Sequence, residues 1–326
     1  GIAVGSGGVN LPGNVFANTL PGNFARNAID GGDGDDTIDG GLGADTLTGG
    51  PGADTLSVDN ASDQATGDSG TDTVESSVST SLGAGVENGV LLGSANINLT
   101  GNALANTLTG NGGENTVTGA EGNDVIVGSG GTDQLVGGIG DDTYVPSSVD
   151  QTLAENADEG IDTVSFADFG QPVTLSLGAN IENATGSAYA DTLTGNTLAN
   201  AIVGGGGNDT LDGAAGVDQI AGGAGDDSIA VDATSDVVSG GSGTDTVRAA
   251  ASFVLGADVE NGVLLGTGPF SLTGNDLPNV LSGNDAANVM SGGGGSDVLN
   301  GGAGVDKLVG GAGRDTISGD GGKDRI

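Results

Sequence analysis

The chain contains no cysteine, no histidine and no tryptophan. The missing cysteine excludes disulfides and thiolate chemistry. The missing histidine excludes histidine-based triads and the usual zinc sites. Positive charge is scarce too. Arg26, Arg248, Lys307, Arg314, Lys323 and Arg325 face 44 acidic residues, for a net charge of −38. Such a surface repels nucleic acid and anionic membranes, so neither is expected as a partner. No apolar run reaches the ~18 residues that membrane insertion as a helix needs. Residues 1–10 show no basic stretch followed by an apolar one, so no signal peptide is visible. Aromatic residues make up only 2% of the 326 positions, too few for one large globular core. Few aromatics with high net charge ordinarily read as disorder. A repeat architecture is the alternative, and periodicity decides between them.

Glycine is what the chain has in quantity, 69 residues of it, and it is ordered. Residues 31–57 read GGDGDDTID GGLGADTLT GGPGADTLS, three nine-residue words. The register runs from Gly13 to Glu75, from Gly101 to Val145, from Gly186 to Arg248 and from Gly274 to Ile326. Ten words fit G-G-x-G-x-D-x-U-x, with U a large apolar residue; they start at Gly31, Gly40, Gly49, Gly137, Gly204, Gly222, Gly240, Gly292, Gly301 and Gly310. Five more, from Gly67, Gly119, Gly128, Gly213 and Gly319, keep the first glycine, the fourth and the aspartate.

A longer period lies above the short one. GVLLGSANINLTGN at Gly89 has relatives at Gly1 and Gly262 and a shortened one after Asn183. Glu87-Asn88, Glu182-Asn183 and Glu260-Asn261 precede three of these. Four modules result, 1–88, 89–183, 184–261 and 262–326. The first is entered midway and the last ends inside a word, which reads as a fragment of a longer protein.

The spacing predicts an all-β chain. The G-G-x-G-x-D part suits a turn, because glycine adopts backbone angles other residues resist. The x-U-x part is a short strand with one inward side chain. Two words make a flattened coil of eighteen residues, and stacked coils place like residue over like, about 4.8 Å apart. The inward residues are then Ile38, Leu47, Leu56 and Val74 in the first run. In the third they are Leu211, Ile220, Ile229, Val238 and Val247. Stacking carries Asp36 over Asp54 and Asp209 over Asp227. Bare carboxylates so close would repel. Glycine turns aim backbone carbonyls at the same gap, and an oxygen cage of this kind suits calcium. An isolated Asp-Gly is only a turn cap; fifteen aspartates in register read as cation sites.

These words resemble the calcium-binding nonapeptides of the RTX (repeats-in-toxin) family. The resemblance implies a parallel β-roll, a β-solenoid in which each ion sits between one turn and the turn two words later. It implies calcium ligation by the position-six aspartates Asp36, Asp45, Asp54, Asp72, Asp124, Asp133, Asp142, Asp209, Asp218, Asp227, Asp236, Asp245, Asp297, Asp306, Asp315 and Asp324. It also implies turn carbonyls from Gly31, Gly32, Gly34, Gly49, Gly50, Gly52, Gly204, Gly205, Gly207, Gly222, Gly223, Gly225, Gly292, Gly293, Gly295, Gly310, Gly311 and Gly313. Carried over by position, the pairs are Asp36/Asp54, Asp54/Asp72, Asp124/Asp142, Asp209/Asp227, Asp218/Asp236, Asp227/Asp245, Asp297/Asp315 and Asp306/Asp324. Asp45/Asp63 and Asp191/Asp209 are less complete, because the words of Asp63 and Asp191 lack the glycine pattern.

Seven words replace the second glycine and the aspartate by asparagine, with Asn18, Asn27, Asn106, Asn115, Asn200, Asn279 and Asn288 at position six. An amide both donates and accepts, so these coils can close without metal. Sugar binding along an asparagine face is the functional alternative. The linkers, such as Thr73–Gly93, are strand-like. They read either as wider β-coils that continue the solenoid or as a small sheet beside it. The recurring Glu87, Glu182 and Glu260 suit a turn or a coil-to-coil hydrogen bond. Four of the six basic residues fall between Lys307 and Arg325, most simply as solvated loop positions.

The resulting expectation is a calcium-binding structural region of a secreted, extracellular or cell-surface bacterial protein. Carboxylates that repel without calcium coordinate it when present, so binding energy becomes folding energy. The resemblance implies export through type I secretion machinery, although the usual C-terminal secretion signal is not recognisable. The alternatives are a polysaccharide-active enzyme and a calcium-dependent module for cell-surface or matrix polysaccharide. Against an enzyme, the sequence shows no non-repeated polar cluster. Open strand edges also allow end-to-end self-association.

Overall fold

The x-U-x triplets form strands and the glycine segments form the turns between them. In the computed structural model, which describes residues 7–157 and 159–326, every regular element is a β-strand, mostly three residues long. Thr37–Asp39 pairs in parallel with Thr55–Val58, which pairs with Thr73–Ser76. The intervening words go to a second sheet, where Ala28–Asp30 pairs with Thr46–Thr48 and then Gln64–Thr66. Words therefore alternate between two sheets, and a coil of two nonapeptide words returns after 18 residues. This is a parallel β-solenoid.

Two compact units arise, Gly1–Val164 and Ser165–Ile326. In the first, Thr19–Pro21 begins a sheet of alternate words that continues through Thr143–Val145. Facing strands are Asn10–Pro12 to Gln64–Thr66, and then Thr80–Ser81 to Thr152–Ala154. In the second unit, Thr174–Ser176 begins a nine-stranded parallel sheet ending at Thr316–Ser318.

The inward columns are the core. Ile38, Leu47, Leu56, Leu211, Ile229 and Val247 have no exposed surface, and Val74, Ile220 and Val238 are also buried. Burying one such side chain contributes about 1.5–3 kcal/mol. Each eighteen-residue coil has only two of these positions, so the turns must contribute to stability as well.

The linkers continue the solenoid. Asn88–Leu91 pairs with Thr73–Ser76 on one side and Thr107–Thr109 on the other. The expected wider coils occur beside a narrower one: the coil from Thr73 takes 15 residues, the next takes 19, and the coil from Asp142 to Asp162 takes 20. The same steps recur at Thr246, Asn261 and Val280. Shortening pinches the core, so glycine replaces the aliphatic residue at the inward position. A Cβ on Gly89 would press on Leu99 and Leu108, and one on Gly262 on Leu272 and Leu281.

The glycines of a word serve two purposes. Gly32 and Gly34 have φ of +91° and +103°, which close the turn. Gly31 has an ordinary φ, but a Cβ there would strike both the Asp36 carboxylate and the Gly49 carbonyl. Four words keep a positive φ at position two without glycine, at Ala120, Ser129, Ala214 and Asp320. A non-glycine residue in this region costs about 1–2 kcal/mol. Ala120→Gly therefore raises thermal stability by up to ~1 kcal/mol, after the extra entropy of glycine in the unfolded chain. Gly34→Ala lowers it by more, because its Cβ also meets the Phe16 backbone. Thermal melts in calcium check both, and a lower melting temperature for Ala120→Gly would refute the strain.

Candidate metal centre

Each position-six aspartate sits at the end of a turn, where the chain enters a strand. One carboxylate oxygen links coils. Asp54 Oδ1 accepts the Asp36 N–H at 2.7 Å, and Asp72 Oδ1 accepts the Asp54 N–H at 2.8 Å. The same bond joins Asp124 to Asp142, Asp209 to Asp227, Asp227 to Asp245 and Asp218 to Asp236. It also joins Asp297 to Asp315 and Asp306 to Asp324. The less complete pairs Asp45/Asp63 and Asp191/Asp209 have it too.

The other oxygen separates the words. Among the described residues, Oδ2 is buried with no hydrogen-bond donor in Asp36, Asp45, Asp54, Asp124, Asp142, Asp209, Asp218, Asp227, Asp245, Asp297 and Asp306. Each belongs to a word with glycines at positions one and four. Where the pattern fails, a local donor takes over. Asp63 Oδ2 accepts from the Asp59 and Asn60 N–H groups, Asp191 from Ser187, and Asp236 from the Ala233 N–H. Two words that keep both glycines have a donor as well: Asp72 Oδ2 accepts the Asp68 N–H at 3.2 Å. Asp133 Oδ2 accepts from the Gln151 amide at 2.6 Å, so a side chain fills that cage. Asp315 and Asp324 are only half-buried.

Backbone carbonyls converge on the orphaned oxygens. A Cβ on Gly31 would meet both Asp36 Oδ2 and the Gly49 carbonyl oxygen. Gly204 faces Asp209 Oδ2 and the Gly222 carbonyl, Gly222 faces Asp227 and Gly240, and Gly292 faces Asp297 and Gly310. Gly49 and Gly310 abut the carboxylates of Asp54 and Asp315. Of the other turn glycines, Gly50, Gly52, Gly205, Gly207, Gly223, Gly225, Gly293, Gly295, Gly311 and Gly313 all have positive φ, like Gly32 and Gly34. The cages combine carboxylate and backbone carbonyl oxygens, the hard donor set that calcium takes. A buried carboxylate oxygen without a donor is the kind of acceptor that a cation satisfies. The residues present therefore fit calcium.

The sequence profile of the RTX calcium-binding nonapeptide repeat (four copies) matches the chain in overlapping windows spanning residues 12–77, 100–144, 178–247 and 273–326. The chain belongs to this family. A comparison with curated proteins gave no match.

Within this RTX chain the asparagine coils close differently. Asn106 Oδ1 accepts the Asn102 N–H, and Asn106 Nδ2 donates to the Val86 and Glu87 carbonyls. Asn200 and Asn279 repeat the arrangement. The amide protons satisfy carbonyls where an aspartate would leave an oxygen bare. Glu87 and Glu260 act as coil-to-coil acceptors for the N–H groups of Asp72 and Asp245.

Sequence reasoning missed two parts of the site. Asp162 lies two residues out of register, yet its Oδ1 accepts the Asp142 N–H at 2.8 Å across 20 residues. A non-repeated polar cluster also exists, built from Tyr144, Glu155, Asp142 and Asp162. Its one sequence signal is a tyrosine where other complete words carry an aliphatic residue.

Burial lifts the carboxylates above their usual range. Asp54 and Asp142 are pushed up to about 6 and Asp209 to about 7, chiefly by desolvation. Desolvation also raises Asp45, Asp124, Asp133, Asp218, Asp227 and Asp245. A carboxyl raised in the folded state favours folding when protonated. That contribution is complete below the ordinary 3.8 and lost as pH rises through about 6–7. In chelator, the chain therefore gains β-structure on acidification from pH ~8 to ~5. In calcium the same protons compete with the ion, and the calcium midpoint rises. Circular dichroism at both pH values checks the signs; loss of β-structure in chelator at the lower pH would contradict them.

Proposed function

We propose that this chain is a calcium-driven structural module of a secreted or cell-surface bacterial protein, unfolded during export and folded on meeting external calcium. The observation that carries the reading is the recurring buried Oδ2 with no donor, facing a carbonyl of the next coil. Without a cation these oxygens are desolvated acceptors repeated along the roll, and glycine-rich turns favour the unfolded chain. With calcium the same oxygens become ligands, and binding selects the folded state.

In this reading the aspartate pairs of consecutive coils, Asp36/Asp54, Asp54/Asp72, Asp124/Asp142, Asp209/Asp227 and Asp227/Asp245 foremost, hold the ions with the turn carbonyls. The asparagine coils and the Gln151 amide close their own gaps. Extracellular calcium modules bind at ~10⁻⁴–10⁻³ M, above cytosolic and near external calcium. A chain with that affinity passes a type I secretion channel unfolded and closes outside.

Circular dichroism titrated with calcium, beside magnesium and a chelator control, tests the reading. A cooperative gain of β-structure with calcium alone is expected. A chain already fully β in chelator would overturn it. Asp227→Asn removes a carboxylate shared by two rungs and raises the calcium midpoint; about tenfold corresponds to ~1.4 kcal/mol. Thr197→Ala, at an exposed position in a turn closed by the Asn200 amide, leaves the midpoint unchanged.

A further inference from the structure

The ladder changes character at the word Gly137–Val145. Its inward residue is Tyr144, fully buried and in register with Ile126 and Val164. An aliphatic side chain ends in the core, whereas the longer tyrosine reaches through to the turn. There its hydroxyl accepts the Gly137 N–H at 2.7 Å and donates to the Glu155 carboxylate.

Glu155 occupies an unusual place. Thr152–Ala154 pairs with Gln134–Val136, so Glu155 follows in line with Gly137, at the position that is glycine in the regular coils. Above Gly119, the facing oxygens are Asp124 Oδ2 and the Gly137 carbonyl. Above Gly137, they are Asp142 Oδ2, a Glu155 carboxylate oxygen and the Tyr144 hydroxyl. A carboxyl side chain thus stands where a backbone carbonyl stands elsewhere. The inserted residues then return Asp162 to the ladder.

Three carboxylates therefore converge. Oxygens of Asp142, Glu155 and Asp162 lie within 4.8 Å of one another. Asp142 and Asp162 are each 1% exposed, and Asp142 Oδ2 is buried without a donor and aimed at this space. Gln151 offers a contrast nearby: its amide donates to Asp133 and closes that cage, which an ionised Glu155 cannot do for Asp142. The orphaned Asp142 Oδ2 is the kind of acceptor that a cation satisfies, and a carboxylate in place of a carbonyl strengthens a calcium site.

We propose that Asp142, Glu155 and Asp162 form a three-carboxylate calcium site, tighter than the glycine-carbonyl rungs, with the Tyr144 hydroxyl holding Glu155 in place. The site rests on the calcium reading above but differs from the repeat in its donors. It would be the last to release its ion as calcium falls.

The chain provides its own reporter. It has two tyrosines and no tryptophan, so Tyr189→Phe leaves Tyr144 alone as sensitiser. Terbium, a luminescent calcium substitute, is titrated against chelator in this variant. Direct excitation reports all bound terbium; tyrosine excitation reports the rungs nearest Tyr144. The tyrosine-excited signal is expected to half-saturate at free terbium at least about tenfold lower. Glu155→Gln should close most of that gap while calcium still induces β-structure. Two signals that titrate together in the parent overturn the proposal, even if the Glu155 variant fails to fold. A gap that survives Glu155→Gln in a folded roll also overturns it. Absence of any calcium response in circular dichroism would defeat the calcium reading itself; bound terbium with no tyrosine-excited emission would defeat only this site.

Discussion

The structure depends on how one carboxylate divides its two oxygens. Oδ1 is committed to the N–H of the aspartate or asparagine one coil earlier, a bond seen from Asn18–Asp36 through Asp306–Asp324. That bond fixes the vertical register of the turns. It also pins the side chain so that Oδ2 lies in the gap between coils. An exposed aspartate would solvate both oxygens and bind an ion weakly. Here the backbone has already oriented and desolvated the ligand, so the cation meets a partly organised cage.

Glycine at position one makes this division possible. The space a Cβ would fill above Gly31 or Gly222 is where carboxylate and carbonyl oxygens converge. The positive-φ glycines at positions two and four fold the turn tightly enough to present those carbonyls. Core and turn are coupled as well. The aliphatic column sets the coil spacing through strand pairing, and that spacing sets the distance between successive carboxylates. Where a coil shortens, Gly89 or Gly262 relieves the core, and the longer Glu87 or Glu260 reaches across in place of aspartate.

The roll uses three chemistries to close the same gap. Orphaned carboxylate oxygens leave it open, asparagine and Gln151 amides fill it with protons, and Glu155 fills it with a further carboxyl group. The first two occupy the same place in the coil, so amide-closed coils and coils with a bare carboxylate oxygen alternate without breaking the stack. The third is the exception that a regular ladder does not require. This roll is therefore a sequence of different rungs, some closed by amide protons and others left with a bare carboxylate oxygen.

The sequence by itself determined the all-β class, the eighteen-residue coil, the inward column and the position-six acids, because each is a strict period and a period survives without coordinates. Ile38, Leu47 and Leu56 are buried where the pattern puts them, and Asp36 and Asp54 share a rung. Tertiary structure alone decided which oxygens remain free, because that depends on donors elsewhere in the turn, such as Gln151 for Asp133 or Ser187 for Asp191. It alone returned Asp162 to the ladder after an insertion that breaks the count. It alone joined Tyr144 to Glu155, since one belongs to a core column and the other to a turn. Their meeting follows from how far each side chain reaches across the coil, a distance that periodicity does not encode.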